Sequence, residues 1–214
     1  MRGEYVDERD STWERSDPRF RVFVFEGPGN AAAVLGIDDA TIEDALESAR
    51  ALSRSDELLW SLALVDDDSR GSRGLLWLSG MDYNHRPVTA REWKLRRQMQ
   101  DRYLMAKRRT GSTPLLPNGL RLIRVFPEWV SGWPLWESFT DEYRLDHGPL
   151  PITPQLSRDL FDWNEEWLDR SEDRPLPNPD GWRARGIELV QLLQKELEGI
   201  AEVRPEFLAA DARE

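Results

Sequence analysis

The stretch LLWSLALV at residues 58–65, followed by GLLWLSG at residues 74–80, decides the fold of this 214-residue chain. Both runs are apolar and have the length of a strand, and a polar turn rich in Asp, Ser and Gly joins them at residues 66–73. Two apolar runs separated by such a turn predict an antiparallel hairpin. We expect this hairpin to form the centre of a first α+β unit.

The segments before and after the hairpin extend this unit to the pattern ββαββα. FRVFVFE at residues 20–26 alternates in polarity and predicts a strand, and the turn GPGN leads to a short second strand at residues 34–37. TIEDALESARAL at residues 41–52 repeats its apolar residues with helical spacing. A capping box of Thr89 and Glu92 predicts the start of a long helix that ends near Arg109.

The rest of the chain predicts a second unit with the pattern βααβ. It contains a strand at residues 120–126, a loop rich in Trp and Pro, helices at 153–170 and 180–198, and a last strand at 201–208. The predicted organisation is a flexible arm (1–18), a first unit (19–110), a Pro- and Gly-rich linker (111–119), a second unit (120–208) and a tail (209–214). The predicted fold class is α+β, with two small antiparallel-sheet-plus-helix units that are either separate domains or parts of one sheet.

The composition excludes several kinds of chemistry. The chain has no cysteine, which excludes disulfides, zinc–thiolate sites, iron–sulfur clusters and Cys nucleophiles. Its apolar runs are too short to span a bilayer, and its polar N-terminus lacks the apolar region of a signal peptide, so we expect a cytoplasmic protein. The histidines lack metal-ligand spacing, and we expect neither a metal nor a cofactor.

The net charge of −11 is distributed unevenly along the chain. Residues 89–110 contain eight Lys or Arg and only two acidic residues, a net charge of +6 that leaves −17 for the rest. The helix from Thr89 to Arg109 is interpreted first as an internal partner for this acidic remainder. The alternative is a helix that binds nucleic acid or another anion, through four basic side chains: Arg96, Arg97, Lys107 and Arg108.

Tryptophan is concentrated between Trp129 and Trp167, which contains five of the ten in the chain. Trp163 and Trp167 continue a helical stripe of apolar residues, which indicates core positions, and Trp182 begins a similar stripe in the last helix. The loop from Trp129 to Trp136 has no such period. We expect it either to cover the core as a lid or to bind a partner, and the partner-binding candidates are Trp129, Trp133, Trp136, Glu128 and Glu137.

The polar loop MDYNHRP at residues 81–87 follows a predicted buried strand. It is the place where a catalytic site is expected if the protein is an enzyme, because four consecutive side chains carry functional groups: Asp82, Tyr83, Asn84 and His85. A histidine beside a carboxylate can act as a general base. The sequence lacks the nucleophile elbow that would give such a base a serine to activate.

Three segments of the second unit resemble uncharacterised small acidic proteins of high-GC Gram-positive (actinobacterial-type) bacteria. They are WPLWE at residues 133–137, LSRDLFDWNEEW at 156–167 and WRARGIELVQLLQKEL at 182–197. The resemblance covers about residues 120–208. It implies a bacterial cytoplasmic protein and transfers no activity or catalytic residue.

These observations lead to one main hypothesis and two alternatives. The main one is a non-catalytic interaction protein that binds a basic macromolecule, in an immunity-like, antitoxin-like or mobile-element accessory role. The first alternative is an enzyme or ligand-binding protein with a pocket where the segment from Asp82 to Arg86 meets the loop from Trp129 to Trp136. The second is nucleic-acid binding by the basic helix.

Overall fold

A computed structural model of the chain describes residues 3–11, 14, 16–67, 71–127, 129, 132–145, 150–171 and 175–210. Its helices and strands form the α+β fold that the sequence predicts, with two sheets. The described part of the N-terminal arm contains a short 3₁₀ helix at Glu8–Asp10.

The first sheet consists of β1 (Arg19–Glu26), β2 (Ala31–Ile37), β3 (Leu59–Asp67) and β4 (Arg73–Ser79). The strands are antiparallel and lie in the order β2-β1-β3-β4. The predicted hairpin is confirmed, because β3 pairs with β4 and Val65 lies opposite Leu75. Strand β2 begins earlier than predicted, since Ala31 already pairs with Glu26 across a tight turn.

Two helices cover the two faces of this sheet. Helix α1 (Ile42–Leu52) packs Ala45 against Val22 and the other β1 side chains of that face. Helix α2 (Ala90–Arg109) packs Met99 against Phe25 on the opposite face. Successive strand residues point to opposite sides of a sheet, so β1 contributes to the core on both faces. The predicted capping box at the start of α2 is confirmed.

A glycine lets the chain pass closely beneath α2 as it leaves β4. Gly80 has a φ of +72°, and a Cβ at this position would lie 2.8 Å from Met99 Cγ and 2.9 Å from Ser61 Cβ. Only glycine combines this backbone conformation with so close an approach. The turn directs the following loop, residues 81–88, towards the second unit.

The second sheet is smaller and mixed. It consists of β5 (Arg121–Val125), β6 (Leu135–Glu137) and β7 (Ala201–Pro205) in the order β6-β5-β7. The pairing of β5 with β7 is parallel, because two helices, α3 (Pro154–Leu168) and α4 (Pro179–Glu196), connect these strands as a crossover. Strand β6 lies inside the predicted Trp-rich loop, and the last predicted strand ends early, before the short helix α5 (Phe207–Ala210).

A reciprocal tryptophan pair forms the centre of the second core. The rings of Trp163 and Trp182 stack with centroids 4.5 Å apart, and each indole N–H donates to the backbone carbonyl of the other residue at 3.0 Å. Both side chains are buried, so the prediction that they belong to the core is confirmed. Phe207 packs edge-on against both rings.

The two units pack against each other. Leu116, in the predicted linker, and Leu122, on β5, are buried in one hydrophobic cluster with Phe25 and Leu59 of the first sheet. The segment predicted as a linker therefore contributes to a core that both units share. The polar groups near this junction build the candidate site.

Candidate functional site

A buried ion pair joins α2 to β7 at the junction. Arg96 binds Glu202 with both its Nε and Nη2 atoms, at 2.6 and 3.0 Å from the carboxylate oxygens. Gln100 donates to the same carboxylate at 2.7 Å and to the Tyr83 hydroxyl at 3.1 Å. The Arg96 guanidinium also lies over the Tyr83 ring, 3.9 Å from its centroid. We call these four side chains the junction network.

The electrostatics of the junction network favour a neutral Tyr83 and a charged Arg96. Burial, together with the negative charge of Glu202, raises the pKa of Tyr83 above its ordinary range, so its hydroxyl stays protonated. Burial alone would lower the pKa of Arg96, but the charge and hydrogen bonds of Glu202 outweigh that effect and raise it. The network therefore combines the ion pair of Arg96 and Glu202 with a neutral phenol.

A second buried arginine extends these contacts along β7. Arg204 is 2% exposed and donates to Gln100 Oε1 at 3.2 Å and to Asp101 Oδ1 at 3.0 Å. It also pairs with Glu206. Sequence reasoning missed Arg204 and Glu202, which lie in the last predicted strand, and the structure shows this strand to be largely buried. Together, these contacts tie the basic helix to the last strand.

Two adjoining cavities lie beside the junction network, and we call them together the junction cleft. The inner cavity has a volume of about 340 Å³ and the outer one about 750 Å³. The loop at residues 83–88 and the first turn of α2 form one wall, and α4 and β7 form the other. Five residues line both cavities: Arg86, Pro87, Trp93, Val190 and Gln194.

Two of the side chains that line both cavities have no partner among the described residues. Among the described residues, Arg86 has neither an ion pair nor a hydrogen bond through its side chain, and it is exposed. Trp93 is half-buried and contacts no other aromatic ring or cation of the described chain. Gln194, by contrast, is occupied, because it donates to the Ala201 carbonyl and accepts from the Val203 amide. Sequence reasoning placed Arg86 at the edge of a candidate site and assigned no site role to Trp93.

Three of the four predicted catalytic residues line the inner cavity, but the four side chains are not arranged around one point. His85 Nδ1 is 3.0 Å from Asp82 Oδ2, and the His85 side chain is 80% exposed. Asn84 donates to the Asn30 carbonyl, which fixes the loop to the turn between β1 and β2. Tyr83 is turned away from these residues into the junction network. Tyr83, Asn84 and His85 line the inner cavity, whereas Asp82 does not.

The predicted partner-binding surface is mostly internal. Trp133 and Trp136 are buried, and Trp136 stacks with Phe126 and Tyr143. Glu137 makes a bidentate ion pair with Arg121 on the neighbouring strand. Trp136 and Glu137 lie on β6, which pairs with β5 and places their side chains on the two faces of the second sheet. Trp133 precedes β6 and packs in the hydrophobic cluster of the second unit.

Among the described partner-binding candidates, Trp129 alone is exposed, with 56% of its surface accessible. Glu128 lies outside the described residues. The ring of Trp129 rests against Trp167, with centroids 4.6 Å apart. Arg170 lies over both rings. The loop from Trp129 to Trp136 contributes no described residue to the junction cleft, so the expected meeting of the two segments is not formed there.

The basic helix is largely engaged within the protein. Arg96 belongs to the junction network, and Arg102 donates to the Trp60 carbonyl and to Ser79. The other three predicted anion-binding residues each contact a partner within the chain: Arg97 with Asp101, Lys107 with the Tyr103 ring and Arg108 with Asp141. A continuous exposed basic face would need Arg96, whose side chain is only 11% exposed.

No protein-family model, curated protein or solved structure matches the chain. Within the described residues, three or more His, Asp or Glu side chains nowhere gather in a way that could hold a metal ion. The helices of the described chain include none with the length and apolar character needed to cross a membrane.

Proposed function

We propose that this protein binds a small-molecule ligand in the junction cleft. The volumes of the two cavities fall in the range typical of small-molecule sites, which often lie between structural units. The lining combines apolar side chains with a few charged ones, as such sites require. The proposal develops the ligand-binding alternative from the sequence, with α4 and β7 in place of the Trp-rich loop.

One observation carries the proposal: Arg86 and Trp93 line both cavities, and neither has a side-chain partner among the described residues. Nearly every other arginine around the junction is paired, so an unpaired arginine beside an unpaired indole is a distinct feature. A guanidinium and an indole ring are among the side chains that contribute most to binding. Their joint presence supports a binding role for the cleft.

The junction network supports the proposal because it makes the wall of the cleft rigid before a ligand arrives. Arg96 donates to the Tyr83 carbonyl at 2.7 Å and so fixes the loop that carries Arg86. A preorganised site loses less conformational entropy on binding. The proposed role is binding, and His85 lines the inner cavity with its Nδ1 atom 3.0 Å from Asp82 Oδ2.

The test is a fragment screen by ligand-observed NMR on the wild type, Trp93→Leu and Trp129→Leu. Both substitutions remove an indole ring, but only Trp93 lines the cleft. We expect a set of fragments whose binding is lost in Trp93→Leu and retained in Trp129→Leu. A screen without hits, or hits that respond equally to both substitutions, would contradict the proposal.

A second candidate function is binding of a basic macromolecule, which is the main hypothesis from the sequence. The observation in its favour is the exposed ring of Trp129 at the end of α3, next to an acidic helix face. Asp162, Glu165 and Asp169 lie opposite the core stripe of this helix and form no ion pair with the described residues. Arg170 over the two indoles illustrates how a basic side chain of a partner would be held.

This candidate is tested with a fluorescent oligo-lysine peptide and two double variants of equal charge. Asp162→Asn/Asp169→Asn changes the acidic face of α3, and Glu43→Gln/Glu47→Gln changes exposed residues of α1. We expect the first variant to weaken binding more than the second, with an effect that decreases as salt is added. Equal weakening by the two double variants would mean that the peptide responds to net charge alone, which would contradict binding at the acidic face of α3.

A further inference from the structure

We infer that the ligand of the junction cleft is an organic anion: a carboxylate or phosphate group on a planar apolar body. This inference rests on the proposed function and names the chemical class that the same site would take. It follows from the charge balance of the lining and from the shape and polarity of the surface that Trp93 shares with its neighbours.

The charge balance of the inner cavity favours an anion. Its lining includes Arg86, Arg96 and Glu202 as fully charged residues. Arg96 and Glu202 neutralise each other through two hydrogen bonds, so the positive charge of Arg86 is left without a counterion from the cavity wall. A carboxylate or phosphate can accept two parallel hydrogen bonds from one guanidinium, which gives both strength and orientation.

The outer cavity has the same sign. Its charged lining residues are Arg86, Lys195 and Glu198, and the side chains of the last two form no ion pair with described residues. The net charge of this lining is therefore +1 in a protein whose total is −11. A local positive charge attracts anions to this cleft, although the acidic surface of the rest of the protein repels them.

The apolar lining favours a planar body. The apolar side chains that line both cavities form the boundary where the cavities meet. They are Pro87, Trp93 and Val190. The half-buried indole of Trp93 offers a flat surface that is not stacked on another ring of the described chain. Ile187 and Leu208 continue the apolar surface into the outer cavity. An aromatic or similarly flat group would bury the most area here.

The decisive experiment uses probes of one shape and different charge. The dissociation constants of 2-naphthoate, 2-naphthyl phosphate, neutral 2-naphthamide and cationic 2-naphthylmethylammonium are measured by NMR titration with the intact chain. The variants are Arg86→Gln and, as a matched control, Arg91→Gln, which removes an exposed arginine of α2 that does not line the cleft. Arg86 is exposed and its side chain has no partner among the described residues, so we expect its substitution to leave the fold intact.

We expect one of the two anions to bind at least about tenfold more tightly than the amide, the effect of one charge-assisted hydrogen-bonded contact. Arg86→Gln should remove this preference, and Arg91→Gln should keep it. The tighter of the two anions identifies whether the oxyanion is a carboxylate or a phosphate.

Two results would overturn the inference, and they differ in what they say about the site. If the amide or the ammonium probe binds as tightly as the anions, and Trp93→Leu abolishes that binding, the cleft remains a binding site and the anion class is wrong. If no probe binds at millimolar concentration, both the inference and the proposed function fall.

Discussion

Replacing Glu202 with glutamine should destabilise the protein by about 3 kcal/mol. The side chains of Arg96 and Glu202 are 11% and 14% exposed, so the pair lies well inside the protein. Two unit charges about 4 Å apart attract by about 4 kcal/mol at the effective dielectric of protein sites, and removing one partner of a buried pair costs about 3–5 kcal/mol. Glutamine keeps the shape of the side chain, which favours the lower end of that range.

The hydrogen bonds explain why glutamine cannot replace the carboxylate. Glu202 accepts from Arg96 with both oxygens, from Gln100 at 2.7 Å and from the Tyr83 hydroxyl at 3.4 Å. A glutamine amide accepts with one oxygen and donates with its nitrogen, so a donor faces a donor on one side of the site. An unsatisfied buried donor adds its own desolvation cost.

The assay is urea unfolding followed by tryptophan fluorescence and far-UV circular dichroism. A loss of about 3 kcal/mol corresponds to a decrease in the unfolding midpoint of at least about 1 M urea. The control is Glu166→Gln, because Glu166 pairs with Arg185 at 3.9 Å and both side chains are about 40% exposed. An exposed pair of this kind contributes at most about 1 kcal/mol.

A double-mutant cycle separates the ion pair from its surroundings. The double variant Arg96→Met/Glu202→Gln should lose about 2 kcal/mol less free energy of unfolding than the sum of the two single variants. Each single change leaves one buried charge without its partner, and the double change leaves no such charge. A cost below about 1 kcal/mol for Glu202→Gln, or a cost equal to that of Glu166→Gln, would show that the junction network does not hold the two units together.

Three further outcomes follow from the geometry. The raised pKa of Tyr83 means that its contribution to stability is present below about pH 10 and lost above it; Tyr83→Phe should flatten alkaline unfolding measured by circular dichroism. Gly80→Ala should lower the free energy of unfolding by about 2–4 kcal/mol in urea titrations, since its Cβ meets Met99 at a positive φ. Hydrogen bonds from the Val88 and Thr89 amides lower the pKa of Glu92, so the cap stabilises α2 above about pH 4 and loses that effect in acid. In acid unfolding experiments, Glu92→Gln should therefore lose the part of the pH dependence that the protonation of Glu92 causes.

Signals carried by a few neighbouring residues were sufficient to predict most of the fold. The hairpin of β3 and β4 follows from two apolar runs around a polar turn, and α2 begins at the capping box that its sequence contains. These features depend on local hydrogen bonds and on periodic burial, which are written into short segments. Strand β6 was not predicted because three residues are too few to show a period.

The candidate site could be predicted only in part. The loop containing Asn84, His85 and Arg86 was expected from its functional groups, and these residues line the inner cavity. The opposite wall comes from α4 and β7, more than 100 residues away in the chain, and the loop containing Trp133 was expected there instead. Which distant segments meet depends on sheet order and crossover, and a single sequence without local pairing signals does not specify these.

The sequence by itself determined that this is an acidic α+β protein without cysteine and that Trp163 and Trp182 are core residues, because helical spacing alone places them on buried faces. Only the tertiary structure decided the orientation of Trp133, which lacks a local period and is buried by the second sheet. The same holds for the basic helix: its charge is visible in the sequence, but its partner Glu202 is brought to Arg96 by the parallel pairing of β5 and β7. Electrostatic pairing acts through space, so the fold decides which charges are neutralised and which, like Arg86, have no partner in the part of the chain that the structure describes.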